Sequence, residues 1–201
     1  MNLPNQLTVA RLGLTALFVA LLSTKMPYSH SLALLAFGIA AFTDFLDGHL
    51  ARKHALITNF GKLMDPVADK VLMASGFVML VGVDLVPAWV VVAILGREFL
   101  VTGLRLLATA QGKVLAAENL GKHKTTWQIL TLLYFLAFLA SADPLWPPLA
   151  AMFRWRPASP EILGRLLIAT SLVLTIWSGL SFAWNGRQIL RDEVGGGSAE
   201  P

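Results

Sequence analysis

Apolar residues are concentrated in six long runs, and polar segments separate each run from the next. A run of about 20 apolar residues is long enough to cross the hydrocarbon core of a bilayer as a helix. The pattern therefore predicts an all-α polytopic membrane protein with six transmembrane helices. An even number of spans places both termini on the same side of the membrane. The six runs are Leu7–Ser23, Ser31–Leu50, Pro66–Val83, Val86–Ala110, Thr125–Ala142 and Ile162–Asn185.

The composition agrees with this class of protein. Of 201 residues, 56% are hydrophobic and only 14% are charged, and the mean hydropathy is +0.65. Soluble domains average about 25% charged residues, so these values exclude a disordered chain, a typical basic nucleic-acid-binding domain and most soluble enzymes. We expect one membrane domain over residues 1–193 and a disordered Gly-rich tail over residues 194–201. The chain has no cysteine, which excludes disulfides, zinc–thiolate sites, iron–sulfur clusters and a cysteine nucleophile.

Lysine and arginine are unevenly distributed between the two sides of the predicted bundle. On one side of the bundle, the first, third and fifth connections together carry only three basic residues. They are Lys25, Arg154 and Arg156. The opposite side carries many more, and cytoplasmic segments are enriched in basic residues, so both termini and the even-numbered loops are predicted to face the cytoplasm. The fifth loop, around Trp155, has no role that the sequence assigns. The basic residues on the predicted cytoplasmic side are Arg52, Lys53, Lys62, Arg105, Lys113, Lys122, Lys124, Arg187 and Arg191.

Four of the 12 acidic residues are grouped at the cytoplasmic end of the second predicted helix and the start of the third. Asp44 and Asp47 share a helix face at i,i+3, and Asp65 and Asp69 share one at i,i+4. Carboxylates in a membrane are costly, and four of them close together need cations. Ligation by oxygen alone favours Mg²⁺ or Mn²⁺ over zinc. A divalent-metal site is one interpretation, and ordinary ion pairs with the neighbouring basic side chains are the other.

Small residues and one arginine lie beside the two aspartate pairs. Gly48 and Ala51 follow the first pair and have no bulk, so a ligand can approach the backbone there. Gly61 precedes the second pair, where it equally suits a simple turn. Arg52 suits a bidentate contact with a phosphate, and an interfacial arginine that extends to water is an equally good interpretation.

The segment from Asp44 to Asp69 reads DFLDGHLARKHALITNFGKLMDPVAD. It matches D-x2-D-G-x2-A-R-x8-G-x3-D-x3-D at every fixed position, and by this motif the chain resembles the CDP-alcohol phosphotransferases, integral membrane enzymes with six helices. Further segments resemble the branch of that family whose acceptor is sn-glycerol 3-phosphate. These are NLPNQLTVAR at Asn2–Arg11, DPVADK at Asp65–Lys70, GRE at Gly96–Glu98 with Arg105 following, and GKHKTT at Gly121–Thr126.

The resemblance implies that an alcohol attacks the lipid-bearing phosphorus of CDP-diacylglycerol and that CMP leaves. It implies two divalent ions, Mg²⁺ or Mn²⁺, with Asp69 as the base for the acceptor hydroxyl. It also implies a homodimer in the inner (cytoplasmic) membrane with the active site facing the cytoplasm. The implied metal ligands are Asp44, Asp47, Asp65 and Asp69. The implied nucleotide pocket is formed by Gly48, Ala51, Arg52 and Gly61.

An acceptor phosphate needs cationic side chains near the aspartates. Arg97 and Arg105 lie within or near the end of the fourth predicted span, where an unpaired arginine is costly. Lys122 and Lys124 flank the fifth span at the same level. We predict that these four residues bind the acceptor phosphate, with Glu98 paired to Arg105, its neighbour at i,i+7. The alternatives are that Arg97 pairs with Glu98 or an aspartate, and that the two lysines only set the topology.

Other functions and contacts stay open at this stage. The same reaction is compatible with inositol phosphate, serine, choline or phosphatidylglycerol as acceptor. A cation-coupled transporter is a different class, but transporter sites usually lie near the bilayer midplane within internal repeats. These aspartates lie at helix ends and the sequence has no repeat. Ala74, Ser75 and Gly76 allow a close helix approach, either between two copies or within one chain.

Overall fold

The computed structural model describes residues 3–24, 26–54, 59–110, 119–185 and 187 of the chain. Within those ranges it does not describe the side chains of residues 3–4, 44–54, 59–63, 110, 119–122 and 185. The described residues form helices and turns without a strand, which confirms the all-α prediction. The helices are α1 (Leu3–Ser23), α2 (Ser29–His54), α3 (Asn59–Gly82), α4 (Ala88–Ala110), α5 (Asn119–Ala140), the short α6 (Pro147–Arg154) and α7 (Arg165–Asn185).

The long helices correspond to the predicted apolar runs, but at one end of the bundle they extend further. Residues 51–65 were expected to form a polar loop, yet α2 continues to His54 and α3 begins at Asn59. The expectation was wrong because hydropathy marks the part of a helix that lies in lipid, whereas alanine, lysine and arginine also favour helix in water. At the same end α5 begins at Asn119, so Lys124, which was expected to flank the fifth span, lies within a helix.

The predicted fifth loop is a folded segment. Pro147 and Pro148 begin α6, where the N–H groups that proline lacks are not needed. A 3₁₀ turn over Arg156–Ala158 and a π-helical turn over Pro160–Gly164 then lead into α7. The hydroxyl of Tyr134 donates to the carbonyl oxygen of Ala158 at 2.7 Å, which ties this segment to α5.

The bundle places large apolar side chains on its outside and many polar ones inside. On α4, Val92 and Leu100 are each 70% exposed, whereas Thr131 on α5 and Thr175 on α7 are fully buried. This arrangement suits a protein whose surroundings are lipid, because an apolar surface of that extent is unfavourable in water. Within the described residues, two helical stretches are long and apolar enough to cross a membrane: Asn5–Ser23, with mean hydropathy 1.6, and Pro160–Trp184, with mean hydropathy 1.9.

Helices α1, α2, α3 and α5 pack together in the interior. Helix α7 packs against α5, and α4 packs against α7 and α3. Phe18 of α1 packs against Phe37 of α2 with ring centroids 5.4 Å apart. Gly76 of α3 lies under Leu132 of α5, and a β-carbon there would come within 2.9 Å of the leucine side chain. Gly76 is therefore used for packing within one chain, as the second of the two alternatives has it.

Candidate active site

Two residues of α1 contact the second aspartate pair on α3. Arg11 is fully buried, and its Nη1 donates to Oδ1 of Asp69 at 2.6 Å. Thr8, one turn earlier and also fully buried, donates its hydroxyl to Oδ1 of Asp65. Since a buried arginine is costly without a carboxylate partner, this pairing explains how α1 accommodates a charge. It also fixes the orientation of both aspartates.

A cavity of about 280 Å³ opens beside Asp69, between α3, α4, α5 and α7. The Asp69 side chain is 43% exposed, so its carboxylate is accessible from this cavity. Four cationic and two anionic side chains line the cavity, which gives the lining a positive formal charge. They are Asp69, Lys70, Arg97, Glu98, Arg105 and Lys124. A positive cavity that opens on a carboxylate is suited to a small anionic ligand.

Glu98 lies between two of these cations. Its Oε1 is 3.3 Å from Nη1 of Arg97, and it forms a salt bridge with Lys124 of α5. Lys124 is only 3% exposed, so the carboxylate offsets a charge that has lost most of its water. The predicted pairing of Glu98 with Arg105 is wrong, because the Glu98 carboxylate pairs with Arg97 and Lys124. The alternative pairing of Arg97 with Glu98 is confirmed.

Lys70 reaches the cavity wall from α3. Its Nζ donates to Oγ1 of Thr102 at 2.5 Å, and the Thr102 hydroxyl donates to the carbonyl oxygen of Glu98 at 2.7 Å. This chain of hydrogen bonds links α3 to the backbone of α4 at Glu98. Lys70 therefore adds a positive charge at a fixed place in the lining.

Helix α7 supports the two arginines of α4. The Arg105 guanidinium lies 5.8 Å from the ring centroid of Phe182, within cation–π range. Gly179 faces the stem of Arg97, and a β-carbon there would come within 2.8 Å of Arg97 Cγ. The absence of a side chain at Gly179 thus lets Arg97 lie between the two helices.

The cavity brings together four of the residues predicted for the site: Asp69, Arg97, Arg105 and Lys124. Asp65 lies one turn before Asp69 on α3. The other predicted residues lie on helices, but their side chains are outside the described set. They are Asp44, Asp47, Gly48, Ala51 and Arg52 on α2, Gly61 on α3 and Lys122 on α5. In the part of the chain with described side chains, no group of three or more metal-binding residues occurs.

Sequence reasoning missed Thr8, Arg11 and Lys70 as members of the site. The two charged residues carried a usable signal, since both lie inside predicted spans, where a charge is expensive and tends to be functional. Thr8 carried none, because a threonine in an apolar helix is common and its carboxylate partner is 57 residues away.

A model of the CDP-alcohol phosphatidyltransferase family matches residues 1–177. The chain belongs to this family. The match runs from α1 into α7 and includes every residue that lines the cavity except Phe182. It confirms the family that the Asp44–Asp69 motif indicated.

Curated relatives align with most of the chain. A Bacillus subtilis relative is 44% identical over 141 residues, covering 64% of this chain and 73% of its own. A Rickettsia bellii relative is 32% identical over 184 residues, covering 90% and 93%. A Shigella flexneri serotype 5b relative is 34% identical over 198 residues, covering 96% and 98%. All three are named CDP-diacylglycerol–glycerol-3-phosphate 3-phosphatidyltransferase.

Proposed function

We propose that the protein transfers the phosphatidyl group of CDP-diacylglycerol to sn-glycerol 3-phosphate, giving phosphatidylglycerophosphate and CMP. The names of its relatives support this reaction. The observation that carries it is the cavity beside Asp69, where a carboxylate and a surplus of positive charge are next to each other. The reaction needs both, because the acceptor presents a hydroxyl group and a phosphate.

The acceptor phosphate binds to Arg97, Arg105 and Lys124. Arginine and lysine contacts to phosphate are charge-assisted and stronger than neutral hydrogen bonds. Glu98 holds Arg97 and Lys124 close together in the cavity before the phosphate arrives. A cationic cavity also disfavours choline, which carries a positive charge, and gives serine no phosphate contact. Lys122 is included among the proposed phosphate-binding residues because it lies on α5, two residues before Lys124.

The transfer is a displacement at phosphorus. The acceptor oxygen forms a bond to the phosphorus that carries the lipid, the bond from that phosphorus to the CMP oxygen breaks, and the hydroxyl proton passes to Asp69. Arg11 holds the Asp69 carboxylate in position through its hydrogen bond to Oδ1. Asp69 is thus the general base, a role that requires a carboxylate within hydrogen-bond reach of the hydroxyl.

The donor set fits hard divalent cations. Asp65 and Asp69 offer carboxylate oxygens from successive turns of α3, the ligand type that Mg²⁺ and Mn²⁺ prefer. We propose that they hold two such ions together with Asp44 and Asp47 of α2. When bound, the ions neutralise the pyrophosphate and the leaving CMP. The nucleotide itself lies against Gly48, Ala51, Arg52 and Gly61.

The experiment that tests the reaction uses purified protein, labelled CDP-diacylglycerol and a panel of acceptors. We expect equal amounts of CMP and phosphatidylglycerophosphate with glycerol 3-phosphate, and little product with serine, choline or phosphatidylglycerol. Chelation should abolish turnover, and Mg²⁺ or Mn²⁺ should restore it. Release of CMP with another acceptor only would change the proposed substrate, and no release of CMP at all would favour a transporter.

The proposed topology has six membrane spans, both termini in the cytoplasm and the active site at the cytoplasmic face of the inner membrane. The uneven distribution of lysine and arginine supports it. Because the chain has no cysteine, single labels are clean. A membrane-impermeant thiol reagent should label Asn59→Cys only after permeabilisation, and Met26→Cys, at the other end, in intact cells. The reverse pattern would overturn the orientation.

A homodimer is proposed on the family resemblance alone. The mass of the detergent-solubilised protein, measured by light scattering and corrected for bound detergent, tests it. A mass of one chain at all protein concentrations would contradict the dimer without affecting the proposed reaction.

A further inference from the structure

A row of buried polar side chains joins α5 to α7. Gln128 Nε2 donates to Oγ1 of Thr175 at 3.0 Å, and one turn further along, the hydroxyls of Thr131 and Ser171 are 2.8 Å apart. All four residues are at least 97% buried. Only one of the four, Gln128, also lines the cavity beside Asp69. Gln128 is therefore the one member of this row that can also contact a ligand in the cavity.

The orientation of the Gln128 amide is fixed by its partner. The Thr175 hydroxyl has one hydrogen, which it donates to the carbonyl oxygen of Ser171 at 2.6 Å. Towards Gln128 the hydroxyl can therefore only accept. The amide must turn its NH₂ group to Thr175, and the bond to Thr175 is the one side-chain hydrogen bond of Gln128 among the described contacts. Its carbonyl oxygen, Oε1, remains as the group that can meet a ligand.

The chemistry of the acceptor indicates which ligand group this is. Gln128 follows Lys124 by four residues, so the two share a helix face about 6 Å apart along the axis. A glycerol phosphate whose phosphate contacts Lys124 has two hydroxyls as its hydrogen-bond donors. One of them reacts and gives its proton to Asp69. The second needs an acceptor oxygen, and Oε1 of the buried Gln128, four residues from Lys124 in the same lining, can supply one.

We propose that Gln128 determines acceptor specificity, its Oε1 accepting a hydrogen bond from the non-reacting hydroxyl of a polyol phosphate. This inference rests on the proposed function. The groups that line the cavity then have three separate roles. The cations bind the phosphate, Asp69 takes the reacting proton, and the Gln128 amide selects for the additional hydroxyl. A buried oxygen that loses its partner disfavours the ligand that lacks the hydroxyl.

The test compares two acceptors in the purified enzyme. The first is sn-glycerol 3-phosphate, and the second is 3-hydroxypropyl phosphate, which has the phosphate and the terminal hydroxyl but lacks the middle one. The wild type should prefer the first by about tenfold or more in kcat/KM. Gln128→Met, which keeps length and removes the amide, should reduce that preference to about twofold or less.

Ser171→Ala is the matched control, because it removes a hydrogen bond of the same polar row at a residue that does not line the cavity. It should lower thermal stability and keep the full preference. If Gln128→Met fails to fold in detergent, Thr175→Val and Thr175→Ser decide. The valine removes the partner that orients the amide and should weaken the preference, whereas the serine should keep it.

The outcomes separate the two proposals. An equal loss on both acceptors in Gln128→Met, or an unchanged preference, would overturn the role of Gln128 and leave the proposed function intact. A wild type that does not prefer glycerol phosphate over the analogue would also overturn it. A wild type that forms no product with glycerol phosphate refutes the proposed function, and the inference fails with it.

Discussion

The two ends of the helix bundle each hold a carboxylate, and they use it differently. At one end the Asp69 side chain is 43% exposed and opens on the cavity lined by Arg97, Arg105 and Lys124. At the other end Asp143, just after α5, is only 9% exposed. Both are acids that an apolar environment disfavours, so each must have a compensating contact.

Asp143 obtains its contacts from the beginning of α2. The backbone N–H and the hydroxyl of Ser31 donate to its Oδ2 at 2.8 Å and 2.6 Å, and Nδ1 of His30 is 3.5 Å from Oδ1. Ser31 lies in the first turn of α2, where N–H groups have no partner within the helix and the dipole favours a negative charge. Asp143 thus caps α2 from a distance of 112 residues in sequence.

The contrast distinguishes a structural acid from a candidate functional one. The contacts of Asp143 join two parts of the fold and leave it buried. Asp69 is held by Arg11 and still faces a cavity with a surplus of positive charge. The presence of an acid in an apolar protein is the same in both cases. What separates them is whether the acid opens on a cavity where a ligand can bind.

The largest effect expected from this contrast is on catalysis. Asp69→Asn should lower kcat by about 10³-fold, because general bases contribute about 10²–10⁴-fold and the same residue is a proposed metal ligand. Asp143→Asn is the matched control at the other end and should keep near-wild-type kcat. Initial rates of CMP release in detergent measure both. Similar losses in the two variants would abolish the distinction between the two ends.

A smaller effect is expected on acceptor binding. Lys124→Ala and Arg105→Ala should each raise KM for glycerol 3-phosphate by about tenfold, the scale of a lost charge-assisted hydrogen bond, with KM for CDP-diacylglycerol changed less than twofold. Arg165→Ala, at the other end of the bundle, should change neither. If the variants raise both KM values equally, these residues support the fold and do not contact the acceptor.

Most of the fold could be predicted from the sequence, because an apolar run of about 20 residues is a local property. The ends of α2 and α3 could not, since polar residues continue a helix into water as readily as apolar ones continue it in lipid. The folded segment around α6 was likewise treated as a loop, because eight residues beginning with two prolines give little helical periodicity.

Prediction of the site succeeded for the charged residues and failed for their partners. Arg97, Arg105 and Lys124 were candidates because charges near or within membrane spans are rare. Helical spacing shows which residues share a face of one helix, and it cannot show which neighbouring helix lies opposite, so Glu98 was paired with Arg105 and not with Lys124. Gln128 carries no charge, and its significance comes from Thr175, 47 residues away.

At the end of the bundle that holds Asp143, removal of this carboxylate should reduce stability without reducing activity. Asp143→Ala should lower the free energy of unfolding by about 2 kcal/mol, because it leaves the Ser31 N–H unpaired at a helix start and loses a hydrogen bond to a charged group. Thermal unfolding in detergent, followed by circular dichroism, measures the change. The kcat of the folded fraction should equal that of the wild type, and a lower value would link Asp143 to the active site.

The smallest expected effect is on the stability of the folded protein at acidic pH. Burial raises the pKa of Asp143, but the hydrogen bonds from Ser31 and His30 lower it more, so it lies below its ordinary value of 3.8. A carboxyl group with a lowered pKa stabilises the folded state fully above its unfolded pKa, and this contribution is lost as the pH falls through the folded pKa. Wild-type stability should therefore decline below about pH 4 more steeply than that of Asp143→Ala.

Ser31→Ala removes one of the two Ser31 donors, which raises the pKa of Asp143 towards its ordinary value and costs about 1 kcal/mol at neutral pH. Its acid decline should begin at the same pH as in the wild type, because the unfolded pKa is unchanged, but it should end at higher pH and be smaller in total. Parallel melting temperatures for all three proteins between pH 3 and pH 7 would show that the cap at α2 does not depend on the charge of Asp143.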